Sequence, residues 1–106
     1  MINLLSKNNF DLTKLIEYPK SGILSKVLVK NKTKDVTLFC MSKGSELSEH
    51  TSTKEGFVYV LEGNGLFVLK GKKIAMKKEV LIHMEKNALH SLKAKNNTSF
   101  LLILSN

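Results

Sequence analysis

The stretch that decides the fold runs from Phe57 to Gly65 and reads Phe-Val-Tyr-Val-Leu-Glu-Gly-Asn-Gly. Its first five residues are β-branched, aromatic or aliphatic, and these types favour an extended strand. Glycine and asparagine directly after such a run indicate a tight turn, so the pattern predicts a β-hairpin between residues 57–62 and 66–69. A strand-rich fold is the first expectation from this sequence.

Similar short apolar runs, separated by turn residues, fill the chain after Gly22. Roughly eight to ten short strands, with turns about every 8–12 residues, are typical of an all-β sandwich or barrel. We expect the barrel core over residues 22–104, preceded by a short helix over residues 9–18 or an extended segment, which Pro19 ends. The predicted strands are residues 23–29, 36–41, 57–62, 66–69, 74–76, 80–84, 89–94 and 100–104.

Length and composition predict one globular domain over residues 1–106. No apolar run is long enough to span a bilayer, and the start of the chain, Met1 to Ser6, has no basic region before its apolar patch. We therefore expect no secretion signal and no membrane partner. A single cysteine, Cys40, excludes an internal disulfide framework and favours a reducing, cytoplasmic location.

The net charge of +8 comes from 17 basic residues, all of them lysine, against 9 acidic residues. Nucleic-acid readout depends on arginine for bidentate base contacts, and the lysines here are scattered along the chain. The pattern favours a lysine-rich solvated surface, with lysine on edge strands to prevent unwanted pairing. We expect no nucleic-acid partner.

Two of the three histidines lie in segments where orientation can be argued. Near the end of the chain, Lys93 and Lys95 prefer solvent, so the alternating His90, Leu92 and Ala94 should face the core. An inward histidine among apolar residues needs a hydrogen-bond partner, a metal or a ligand. If residues 46–52 are extended, Glu46, Ser48, His50 and Ser52 share one face.

These features resemble the cupin family. The family's first motif is Gly, five residues, His-x-His, three or four residues, Glu, six residues, Gly, and here Gly44, His50 and Gly63 match it. In the second motif, the family's histidine aligns with His90. The resemblance implies a jelly-roll barrel of two antiparallel sheets, often assembled as a homodimer, with a site in the barrel lumen.

The resemblance also implies a metal held by two histidines and a glutamate of the first motif and the histidine of the second. Here Ser52 stands at the second histidine and Gly56 at the glutamate, so only His50 and His90 match. Glu79, Glu85, Asn87 and Ala94 replace the glycine, proline, glycine and asparagine of the second motif. We predict a retained scaffold with a degraded metal site.

Three other residues are weaker candidates for restoring a ligand set. His83 precedes His90 by seven residues, and its orientation cannot be derived from the sequence. Glu55 adjoins the lost glutamate position, but only a bulge would turn it inward. Glu46 shares the parity of His50 at a distance of over about 12 Å along a strand. If a cofactor is present, we expect one divalent transition metal, Zn, Fe, Mn, Ni or Cu, on His50 and His90.

The leading hypothesis is a protein that binds or senses a small molecule in the barrel lumen. The expected ligand-binding residues are His50, Ser52, Tyr59, His90 and Leu92. The alternative is a metal-dependent enzyme, oxygenase-like or isomerase-like, that uses His50 and His90. A metal-free acid–base enzyme, with His50 or His90 as base and Tyr59 as acid, is a third reading. Cys40, in an apolar run, is expected to be a core residue.

Overall fold

The computed structural model describes residues 8–106; the segment Met1–Ser6, for which no secretion signal is expected, lies outside them. Within residues 8–106, one four-residue helix precedes nine strands. The elements are α1 (Leu12–Leu15), β1 (Ile23–Lys30), β2 (Lys34–Met41), β3 (Glu46–His50), β4 (Glu55–Glu62), β5 (Gly65–Leu69), β6 (Lys72–Met76), β7 (Leu81–Met84), β8 (His90–Ala94) and β9 (Thr98–Ser105).

The strands form two antiparallel sheets, as the resemblance to the cupin family implies. The five-stranded sheet has the order β1-β2-β9-β4-β7, and the four-stranded sheet has the order β3-β8-β5-β6. Every strand pairing in both sheets is antiparallel. The predicted all-β class is confirmed, and each predicted strand matches an observed one to within two residues at either end.

The main core lies between the two sheets and follows from alternation along each strand. In β4, Gly56, Val58 and Val60 are buried, whereas Phe57 and Tyr59 face outward. Complete burial of a large apolar side chain stabilises a fold by about 1.5–3 kcal/mol. The largest fully buried apolar side chains of this core are Met41, Val58, Val60, Phe67, Met76 and Phe100.

A second apolar cluster covers the outer face of the five-stranded sheet. Leu28, Leu38 and Cys40 are buried there beneath the N-terminal segment, which contributes Phe10 and Ile16 among others. Burial raises the pKa of the Cys40 thiol, which keeps it neutral. Cys40 is therefore a core residue, as expected.

The helix is much shorter than predicted. Of the two alternatives predicted for residues 9–18, the helix holds only over Leu12–Leu15, and the extended segment holds from Ile16 (φ −64°, ψ 125°). Beyond that point the chain follows the sheet, with Ile16 and Tyr18 packed on the second cluster. The ammonium group of Lys26 donates to the carbonyl oxygen of Leu15 at 2.9 Å and so caps the short helix. Packing on the sheet has overridden helical spacing.

The turn after β4 is not a hairpin, so this prediction is wrong. β4 belongs to the five-stranded sheet and β5 to the other, and residues 63–64 carry the chain between them. The turn docks on the connection between β8 and β9: the Asn64 carbonyl accepts from the amides of Lys95 and Asn96, at 2.9 and 3.0 Å. Its own amide donates to the Thr98 hydroxyl at 3.1 Å. The next connection is a hairpin turn, in which Lys70 and Gly71 join β5 to β6 with φ of 50° and 81°.

In the described residues 8–106, no helix is long and apolar enough to span a membrane.

Gly63 is the residue on which the inter-sheet turn depends. Its φ is +121°, and a Cβ there would lie 2.5 Å from the Asn97 carbonyl oxygen and 2.5 Å from Thr98 Cα. We expect Gly63→Ala to destabilise the protein by about 3 kcal/mol or more, because backbone strain and a backbone clash add. Urea unfolding measures the difference.

Gly71→Ala is the matched control. Gly71 also has a positive φ, +81°, but no heavy atom lies within 4 Å of a Cβ at this position. Only the strain remains, so the expected cost is about 1–2 kcal/mol. Equal losses for the two variants would contradict the close approach at Gly63.

Candidate functional site

Two histidines face each other on adjacent strands of the four-stranded sheet. His50 ends β3 and His90 begins β8, and the two residues are direct cross-strand partners. Their ring centroids are 4.1 Å apart at an interplanar angle of 60°. Phe67 of β5 lies parallel to the His90 ring at 5.8 Å. Strand pairing therefore places the two matched motif histidines in one site.

A β-bulge in β3 brings His50 into this position. Leu47 pairs with Leu92, and the next pair is His50 with His90, so β3 has one residue more than β8 between the two pairs. Leu47 and His50 have opposite parity but line the same cavity because of this extra residue. The prediction that Glu46, Ser48, His50 and Ser52 share one face is wrong for this reason. In β8, His90, Leu92 and Ala94 are buried as predicted.

Both imidazole rings are held by backbone carbonyl groups. Nδ1 of His50 lies 2.7 Å from the Ser48 oxygen, and Nδ1 of His90 lies 2.9 Å from the Ala88 oxygen. A carbonyl oxygen only accepts, so each Nδ1 carries the hydrogen and each neutral ring has a lone pair on Nε2. Within residues 8–106, no protein group forms a hydrogen bond to either Nε2 atom.

The two histidines differ in exposure. His50 is exposed, whereas only 6% of His90 is accessible to solvent. Burial lowers the pKa of His90, and the neighbouring His50 lowers it further, against the opposing effect of the Ala88 carbonyl. The buried ring is therefore a neutral hydrogen-bond acceptor at neutral pH.

The histidines border an apolar cavity of about 190 Å³ between the sheets. Three phenylalanines contribute to it, Phe39, Phe67 and Phe100, and Phe39 and Phe100 stack at 5.2 Å. The remaining lining residues are aliphatic or methionine: Leu47, Val58, Met84, Leu92 and Leu102. The site is thus an apolar pocket with two imidazoles as its polar groups.

Of the five residues expected to bind a ligand, the structure brings together His50, His90 and Leu92. Tyr59 is not in this cavity, because the alternation in β4 turns it to the outside, where it borders a groove beside α1. The Ser52 hydroxyl accepts from the Lys54 amide at 3.1 Å and does not line the cavity. The expected placement of Tyr59 and Ser52 in the lumen is therefore corrected.

The weaker metal-ligand candidates also lie elsewhere. His83 faces outward from β7, where Nε2 contacts a Glu55 carboxylate oxygen at 2.6 Å and the ring packs on Phe57. Glu46 pairs with Lys93, with 3.5 Å between the carboxylate and the ammonium group. His83 therefore does not lie with His50 and His90, since alternation in β7 turns it to the outer face.

The residues present do not fit the metal that the cupin fold implies. Protein metal sites of this kind use three or four donors, and His50 and His90 supply two. Among the residues that the structure describes, no group of three or more His, Cys, Asp and Glu side chains is placed to hold a metal ion.

Apolar side chains occupy the position where the resemblance places a glutamate. Gly56 faces the core, and a Cβ there would lie 2.7 Å from Leu104 Cδ2 and 3.2 Å from Met84 Cε. A larger residue at this position requires these side chains to move. The loss of the carboxylate is therefore accompanied by tight apolar packing.

The sequence comparison gives the same class as the fold and the paired histidines. The Cupin domain family model matches residues 37–105, which is more than half of the chain. This chain belongs to the cupin family. No curated protein matches the sequence significantly.

Solved structures of similar fold include a conserved protein of unknown function from Streptococcus pyogenes, with 24% identity and a TM-score of 0.87 over 99% of this chain and 93% of that chain. A cupin superfamily protein from Desulfitobacterium hafniense is 21% identical, with a TM-score of 0.87 over 99% of this chain and 97% of that chain. A cupin 2 conserved barrel domain protein from Leptotrichia buccalis is 31% identical, with a TM-score of 0.85 over 92% of this chain and 47% of that chain.

Sequence reasoning missed the aromatic wall of the cavity. Phe67 was assigned to a strand but not to the site, although its even spacing from Gly65 and Leu69 places it on one face. Phe39 and Phe100 are cross-strand partners in β2 and β9, 61 positions apart in the chain. Alternation alone identifies the inward residue of each strand but does not say which strands become neighbours.

The neutral state of His90 makes stability depend on pH. Because burial holds its folded-state pKa below the usual value, this histidine contributes stability above about pH 6.5, and the contribution is lost as pH falls through the folded pKa. We expect His90→Phe to weaken the loss of stability below about pH 6.5, since phenylalanine takes up no proton. Urea unfolding of both proteins across this range measures it, and parallel pH profiles would contradict the assignment.

Proposed function

We propose that this cupin binds a small, largely apolar molecule in the cavity between its sheets. The observation that carries the proposal is the cavity itself, about 190 Å³ lined by eight apolar residues and two histidines. Ligand sites in small β-barrels are mostly apolar with few polar groups that fix orientation. His50, His90 and Leu92 are the binding residues on this proposal, joined by Phe67 and Leu102.

A metal-dependent enzyme is the second candidate. The two Nε2 lone pairs favour it, because neutral imidazoles are common metal ligands. The shortage of donors weighs against it, since the site supplies two and no group of three or more His, Cys, Asp and Glu side chains is placed to hold a metal among residues 8–106. Metal analysis by mass spectrometry, on protein purified without chelator, separates the two: about one metal per chain would replace the first proposal with the second.

The homodimer stays a prediction from the family, and the cytoplasmic location and the lack of a nucleic-acid partner stay predictions from the sequence. Sedimentation analysis tests the first of these directly.

Toluene is a suitable probe of the cavity because it has no polar group. An apolar cavity of about 150 Å³ in another protein binds benzene, so this one is large enough for a single ring. We expect toluene to shift the NMR signals of residues around the cavity and to raise the melting temperature by mass action. No response at saturating toluene would contradict the proposal.

Leu102→Phe is the variant expected to weaken toluene binding. Leu102 lines the cavity, so the larger ring should fill part of it and reduce toluene affinity by at least about tenfold. Leu66→Phe is the control, since Leu66 lies on the outer face of the four-stranded sheet and lines a different groove. Equal toluene affinity in the two variants would place the binding site elsewhere.

A further inference from the structure

The chemical class of the ligand follows from the state of the two imidazole rings. Only 6% of His90 is accessible to solvent, and its Nδ1 hydrogen is directed to the Ala88 carbonyl. Its Nε2 therefore presents a lone pair at the cavity, and no protein group within residues 8–106 donates to it. Among the described residues this Nε2 is not one of the side-chain atoms that are both buried and without a partner, so solvent reaches it, and a ligand with a hydrogen to donate can take the place of water there.

The tautomer of His50, at the exposed side of the site, follows in the same way. Its Nδ1 hydrogen is directed to the Ser48 carbonyl at 2.7 Å, so its Nε2 is also an acceptor. With ring centroids 4.1 Å apart, the pair presents two acceptors and no donor while both rings are neutral. A group that only accepts hydrogen bonds has no complement here.

The rest of the lining restricts what the donor can be attached to. Among its residues there is no lysine, aspartate or glutamate, and Phe67 lies parallel to His90 as one wall. An ionised group would lose its hydration without gaining a charged partner, and this is costly in an apolar site. A flat ring matches both the stacked wall and the volume of about 190 Å³.

We propose that the pocket takes a neutral single-ring molecule that carries one hydroxyl or amino donor, of the phenol or aniline class. The O–H or N–H group donates to Nε2 of His90, with Nε2 of His50 as a second acceptor towards solvent. The ring lies among Phe39, Phe67 and Phe100. Aromatic carboxylates of the same size are rejected, because a carboxylate offers these lone pairs no hydrogen. This inference rests on the proposed binding function and adds the polarity of the ligand to it.

The test compares phenol, toluene and benzoate on the full chain, at a pH where both imidazoles are neutral. Phenol and toluene share one ring, so their affinity ratio isolates the donor. We expect phenol to bind about tenfold more tightly than toluene, as one buried hydrogen bond provides, and benzoate to bind more weakly than either. Isothermal titration calorimetry, or NMR titration for the weaker ligands, measures the three affinities.

Two variants assign the effect to His90. His90→Phe keeps a ring but removes the acceptor, so the ratio of phenol to toluene affinity should fall to about one. His90→Gln keeps an acceptor oxygen on a flexible side chain and should restore part of the ratio. His50→Phe removes the acceptor of the exposed ring and should reduce the ratio of phenol to toluene affinity less than His90→Phe. If the His90 variants do not fold, His50→Phe still tests whether the hydrogen-bond donor of the ligand contributes to binding.

The outcomes separate this inference from the function on which it rests. If toluene binds as tightly as phenol in the unchanged protein, the donor inference is overturned while apolar binding stands. Benzoate binding more tightly than phenol overturns it as well. If none of the three ligands binds, the proposed function and this inference both fail.

Discussion

The packing of the inner faces of the two sheets is the constraint on which the rest of the structure depends. Strand β9 is central to the larger sheet, paired with β2 on one side and β4 on the other, and its Phe100 is buried in the core between the sheets. The turn at Gly63 and Asn64 joins the sheets and is bonded to the connection that leads into β9. The site then forms where the inner faces leave space, between a stacked pair of phenylalanines and the adjacent strands β3 and β8 of the smaller sheet.

Much of the fold was predictable because strand patterns are local. Alternating lysines in β8 correctly oriented His90 and Leu92, and the dense β-formers of β4 marked a strand. What failed depends on contacts distant in sequence. Glu62-Gly63-Asn64-Gly65 has the composition of a hairpin, but its hydrogen-bond partners are residues 95, 96 and 98, so the strands it joins lie in different sheets. The length of the helix was overestimated for a related reason. The residues that follow Leu15 pack on the five-stranded sheet instead of continuing the helix.

The candidate site was half predictable, and the physical reasons differ between its residues. Motif spacing identified His50 and His90, and strand register then placed them face to face. The sequence does not show which face of β4 and β7 is turned to the core, and Tyr59 and His83 both lie on the outer face. The apolar packing at Gly56 could not be foreseen from the missing glutamate, because Leu104 and Met84 come from two other strands. The side chains that fill the place of the missing carboxylate therefore come from more than one strand.

The bulge in β3 compensates for the spacing between Leu47 and His50. Between its pairs with β8, this strand has one residue more than its neighbour, and that residue alone gives His50 its inward orientation. Leu47 and His50 are three positions apart, a spacing that regular alternation would place on opposite faces, and the extra residue brings both to the inner face. Deleting Ser48 or Glu49 would leave them two positions apart, so regular pairing would keep the imidazole inside without a bulge. Loss of the bulge at unchanged length, by contrast, would turn the imidazole to the outer surface, so the place of this histidine in the lumen depends on the pairing of a five-residue edge strand as much as on residue identity.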